Sequence, residues 1–251
     1  MASCAFAGCG GSVTALDEID KAVRVFVSDL DACDAFTGSL ENIELGNEDY
    51  VKTALEWIQR SRDASDRLLA DVEILRGMTY KGKTAQLGAA VGELCGGAME
   101  AVEELRLMLD GVEDILEAAE PALVMQIDIP LGMLKELAEI LRRLEEVTAA
   151  ADRSLQAIEA VEVPEVLSGY KAFFIELTTA IKEAAQESIS LLKNGAADPK
   201  KGGGESSAKV NRLISLYPAL AYETFSALKI NKLDPVVERV ELEINRLFLG
   251  E

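Results

Sequence analysis

The stretch that decides the fold is TAQLGAAVGELCGGAMEAVEELRLMLDGVEDILEAA, residues 84–119. Its apolar side chains return every three or four positions, at Leu87, Val91, Leu94, Ala98, Ala101, Leu105, Met108, Val112, Ile115 and Ala119. Charged residues and glycines fill most positions between them. That period lays a continuous apolar stripe along one face of an α-helix, whereas a half-buried strand would need strict alternation. At a rise of about 1.5 Å per residue, such a helix would run about 54 Å.

The same spacing returns on either side of this stretch. Upstream, Thr14 followed by Asp17 and Glu18 caps a helix with the seam Leu16, Ile19, Val23, Phe26, Leu30 and Cys33. Glu48 and Asp49 then place acids where a helix N-terminus favours them, ahead of the seam Val51, Ala54, Ile58, Ser61, Ser65, Leu68, Val72 and Leu75. Downstream, Pro121 and Pro130 bracket an apolar connector, residues 122–129, which is expected to interrupt continuous helix. A fourth helix is expected over residues 131–161. Pro164 opens a fifth with an aromatic seam that includes Tyr170 and Phe174, and Gly195 stops it.

Residues 195–207, with Lys200-Lys201-Gly202-Gly203-Gly204 inside them, read as a flexible linker. Beyond it come a helix interrupted by Pro218, over about residues 207–229, and a last one with Asp234 at its cap and Pro235 at its first position. The last helix has the seam Val237, Val240, Ile244 and Leu247. The expected fold class is therefore all-α. The arrangement expected is an elongated up-and-down bundle of about five long antiparallel helices with two shorter C-terminal helices. In domain terms this means a disordered tail over residues 1–12, an acidic bundle over 13–194, the linker over 195–207, and a helical pair over 208–251 docked on the bundle or on a partner.

The 251 residues are 49 % hydrophobic but only 5 % aromatic, so the core must be built from Leu, Ile, Val and Ala. Acidic side chains outnumber basic ones 44 to 25, a net charge of -19. This charge repels phosphate backbones and anionic membrane surfaces, so no nucleic-acid partner is expected. Residues 1–163 hold 32 of the acids and 14 of the bases, so nearly all the excess lies in the first two thirds. Cys4, Cys9, Cys33 and Cys95 have no paired spacing and read as reduced thiols of a cytoplasmic protein. The first residues are small and apolar but lack the basic leader and run length of a secretory signal. No stretch approaches the roughly 18 uncharged apolar residues of a membrane span.

Chemistry-bearing patterns are sparse. The chain has no histidine, which removes the commonest general base and the usual imidazole ligand of zinc, copper and non-haem iron. No calcium-loop pattern appears, and Gly82-Lys83-Thr84 lacks both the earlier glycine and the leading strand of a phosphate-binding loop. No catalytic residue, cofactor or metal is expected. Acidic pairs such as Glu103-Glu104 and Glu145-Glu146 flank the seams and read as a solvated face.

Two features stand out as candidates for helix packing or interaction. One is the run Gly88, Gly92 and Gly96, each glycine costing a helix about 1 kcal/mol relative to Ala. The other is the C-terminal seam Val237, Val240, Ile244 and Leu247. The function expected is that of a non-catalytic bundle mediating protein–protein interaction or structural assembly, with protein subunits or a second copy as partner. The alternative is a bundle that opens on lipid or another hydrophobic surface, suggested by the glycine run and the apolar connector.

Overall fold

The computed structural model describes residues 10–40, 45, 49–127, 137–194, 204–226 and 228–250. Among them the regular structure is entirely helical. The α-helices are α1 (Gly10–Leu40), α2 (Tyr50–Gly77), α3 (Ala85–Ile127), α4 (Leu137–Ala160), α5 (Ser168–Lys193), α6 (Glu205–Phe225) and α7 (Asp234–Leu249). Short 3₁₀ turns precede α3, α5 and α7. The chain is an all-α helical bundle. Most of the expected linker, residues 195–203, and most of the expected tail lie outside the described residues.

The helices gather into two compact units, and the division runs across helices rather than at the glycine-rich segment. Residues 1–36, 60–106 and 227–251 form the first unit, and residues 37–59 and 107–226 the second. α2 and α3 each contribute residues to both.

In the first unit the seams of four helices meet. Leu16, Ile19, Val23, Phe26 and Leu30 of α1, Leu68, Val72 and Leu75 of α2, Leu87, Val91 and Leu94 of α3, and Val237, Val240 and Ile244 of α7 are all buried. α2 and α3 run antiparallel: Arg106 pairs with Asp66, and the Cys95 thiol lies 4.0 Å from the Val72 carbonyl, so rising numbers on one helix meet falling numbers on the other. α7 runs antiparallel to α3 by the same criterion. Arg239 bonds Glu93 at 2.6 Å, while Lys229, just before α7, reaches Glu100 at 3.6 Å and donates its backbone N–H to Glu104 at 2.9 Å. Gly97 allows this approach, because a Cβ there would stand 2.8 Å from the Leu233 side chain.

The second unit packs α4, α5 and α6 as an antiparallel series around parts of α2 and α3. Lys171 donates to the Glu159 and Val161 carbonyls at 2.9 and 2.6 Å, Lys182 pairs with Asp152 at 2.6 Å, and Lys193 with Glu145 at 3.4 Å, which sets α5 against α4 in reverse. α6 returns along α5, with Lys209 on Glu176 at 3.3 Å and the Ser206 N–H on Glu187 at 3.4 Å. These exposed pairs set register more than they add stability, at about 0–1 kcal/mol each. The apolar seams do the holding, at about 25 cal/mol per Å² buried.

Two expectations, both about prolines, are corrected here. Pro121 does not end its helix; it lies inside α3, which continues to Ile127. Proline removes the bond to the carbonyl four residues back and crowds that carbonyl, at a cost of about 3 kcal/mol in a helix interior. Two features offset this. Pro121 is exposed, so water can reach the unbonded carbonyl. The next amide, at Ala122, donates to the buried Ser154 hydroxyl of α4 at 3.2 Å, and Ala122 and Leu123 are buried behind it. Tertiary packing thus carries the helix past the proline. Pro218 likewise lies within α6 rather than breaking it.

Pro121→Ala is expected to restore the missing bond and stabilise the chain by about 1–3 kcal/mol, and Ser154→Ala to destabilise it by about 1 kcal/mol. Chemical denaturation followed by far-UV circular dichroism measures both.

Candidate functional site

The two groups of residues singled out from the sequence have different surroundings. Gly88 receives a side chain, since a Cβ there would fall 2.5 Å from Cβ of Tyr80. At Gly92 and Gly96 an added Cβ would meet nothing within 4 Å, and Gly92 is exposed. The glycines that do admit close neighbours are Gly97, under Leu233, and Gly111, whose Cβ would stand 2.7 Å from Leu167. Neither was singled out beforehand, because spacing alone does not distinguish a glycine facing a neighbour from one facing water. At the C-terminus, Val237, Val240 and Ile244 are brought together in the core of the first unit, and Leu247 is half-buried beside them. Those positions of the seam are spent on packing within the chain.

Buried polar groups form two clusters. In the second unit Tyr50, Tyr170 and Tyr217 come together from α2, α5 and α6, all essentially without solvent exposure. The Tyr170 and Tyr217 hydroxyls are 3.2 Å apart. The Tyr50 ring meets Tyr217 edge-on at 5.6 Å, and Phe225 meets Tyr170 edge-on at 5.8 Å. Edge-to-face contacts of this kind add roughly 0.5–1.5 kcal/mol each beyond burial. Burial pushes all three phenols up, Tyr50 and Tyr170 well above the ordinary value, with neighbouring phenols adding to the effect on both. In the first unit burial also holds the Tyr80 phenol up, at about 12.

The second cluster lies between α1 and α2. Arg67 donates to Asp29 at 2.9 Å, and Asp71, only 8 % exposed, lies within reach of the Asp29 charge. Burial first, and then the charge and hydrogen bonding of Asp29, raise the Asp71 carboxyl above its usual range, while Arg67 opposes the shift. Among the described residues no group of three or more acidic or thiol side chains is placed to hold a metal ion.

On the surface of the second unit, α5 and α6 flank an open groove of about 660 Å³ lined by Glu176, Glu183, Glu205, Lys209, Arg212, Leu213 and Leu216. Lys209 is already paired with Glu176 across it. On the first unit the outer side of α7 exposes Leu242 and Leu249, at 67 % and 77 %. These are the most exposed of the large apolar side chains described, and sequence reading passed over them because they fall off the buried seam. The signal that marks them is a second spacing, Pro235, Leu242, Leu249, seven residues apart.

No helix among the described residues is long and apolar enough to cross a membrane. No family model, curated relative or solved structure matches this chain.

Two measurements follow from the buried groups. The raised Asp71 carboxyl favours folding only while it can keep its proton, so its contribution is full in acid and is lost as pH rises through the folded-state value. Asp71→Asn should therefore raise the thermal midpoint at pH 7, with the gain over the parent chain vanishing below the unfolded carboxyl range. The tyrosines work the same way at high pH: their contribution is full below about 10 and is lost above it. In an alkaline titration, phenolate absorbance from Tyr50, Tyr170 and Tyr217 should appear only together with loss of the helical signal.

Proposed function

We propose that this protein is a non-catalytic helical bundle that mediates protein–protein interaction or structural assembly. The observation that carries the reading is the pair of leucines on the outer side of α7, Leu242 and Leu249, left in water after the helix has buried its other face. Covering a leucine returns roughly 1.5–3 kcal/mol, and an apolar stripe with a helical period is the surface a partner helix recognises. Protein subunits or a second copy of the chain are the partners this surface suits. The flanking acids Glu238 and Glu241, both exposed, disfavour an anionic lipid surface at the same place. Of the apolar connector that suggests the lipid-opening alternative, Ala122 and Leu123 are buried and Val124 is exposed. The buried thiols Cys33 and Cys95 suit a reducing compartment, which supports a cytoplasmic location as part of this reading.

Light scattering on the full chain, together with recovery of bound proteins on the immobilised chain, tests the reading. A mass above 27.0 kDa or a stoichiometric partner is expected. A chain that remains a monomer and retains nothing would overturn it.

A further inference from the structure

α7 has two apolar faces, and only one of them is occupied. Val237, Val240 and Ile244 are buried in the first unit. Leu242 stands about 200° around the helix from both Val240 and Ile244, and Pro235 and Leu249 lie seven residues to either side of it, so the three share the outward face. All three are exposed, Leu242 at 67 % and Leu249 at 77 %. Two charged residues share that face, one helical turn before and one after Leu242: Glu238 and Arg246, both exposed. Arg239 on one flank is engaged with Glu93 of α3 at 2.6 Å, whereas the only ion pair of Arg246 within its own helix is a loose one, 3.8 Å to Glu243.

We infer that the outward face of α7 pairs with the same face of a second copy of this chain, antiparallel and about a two-fold axis that passes between the two Leu242 side chains. The inference rests on the assembly reading above and names its partner. The charge pattern selects the occupant and the direction. With the helices antiparallel and Leu242 facing Leu242, the position four residues before the centre faces the position four residues after it. Glu238 of each copy then meets Arg246 of the other, and Leu249 of each covers Pro235 of the other. Two opposite-charge pairs flank a closed apolar strip, and the contact is isologous, so it stops at two copies. A parallel pairing would set Glu238 against Glu238 and Arg246 against Arg246, like charges in both places. The strip is narrow, so a dissociation constant in roughly the micromolar range is expected.

The test is sedimentation equilibrium of the full chain and its variants from about 1 to 200 µM, with circular dichroism confirming that each variant remains folded. The parent chain is expected to rise from 27.0 kDa toward twice that mass. Leu242→Asp should abolish the rise. Glu238→Arg and Arg246→Glu should each weaken association at least tenfold, and the two changes together should restore it, because the swapped charges again face each other across the axis. The dimerisation inference falls if the parent chain stays monomeric at the highest concentration. It falls equally if the dimer survives Leu242→Asp, or if the double charge swap fails to recover what the single changes lose. A dimer indifferent to Leu242→Asp would leave the assembly reading standing, whereas that broader reading falls only when monomeric behaviour is joined by failure to retain any other protein.

Discussion

Every long helix in this chain must hide a stripe of leucine, valine and alanine from water, and each unit of the structure is a way of doing so. The requirement is strict because few other side chains are available to fill a core: aromatic residues are 5 % of the chain. Small and branched aliphatic residues fill space only when helices lie close and nearly parallel, so that ridges of one fit grooves of the next. The antiparallel runs of α4, α5 and α6, and of α2, α3 and α7, are the result. Glycine enters where even an alanine would be too thick, under Leu233 at Gly97 and under Leu167 at Gly111.

The dense group of aromatics among the described residues sits at a junction. Tyr50, Tyr170 and Tyr217 bring α2, α5 and α6 to one point, and the 3.2 Å contact between two of their hydroxyls gives buried polar atoms a partner without opening the core to water. Such a contact is directional where the aliphatic seams are not. It fixes which turn of α5 faces which turn of α6, a choice that leucine and valine alone leave loosely specified. Asp29, Arg67 and Asp71 form the corresponding polar contact between α1 and α2 in the first unit, where burial and the neighbouring Asp29 carboxylate hold the Asp71 carboxyl above its usual range.

A chain organised around helix seams has its functional potential in whatever apolar surface the seams leave uncovered. Helix α7 shows why this surface is hard to see in advance. Its inner positions Val237, Val240 and Ile244 and its outer positions Leu242 and Leu249 are equally apolar as letters, and both sets have a period that a helix can present on one face. The three-four spacing is denser and draws attention first. Burial in the first unit uses that denser face, and the sparser heptad face becomes the exposed one. The glycine run shows the converse. Gly88, Gly92 and Gly96 form a regular series in the sequence, yet only Gly88 lies against a side chain, that of Tyr80.

The helical class of this protein, the positions of its long helices and the identity of most core residues were legible in the spacing of apolar residues, because backbone geometry ties a period of 3.6 to one face of one structure. Three matters were decided only by the tertiary structure. Pro121 continues a helix because Ser154, 32 positions away, accepts the amide that follows it. The two units divide the chain across α2 and α3, because compactness depends on which stripes meet and not on where glycines cluster. Finally, which side of α7 faces water follows from the neighbours it meets, since a local pattern specifies that a face will be buried but not against what.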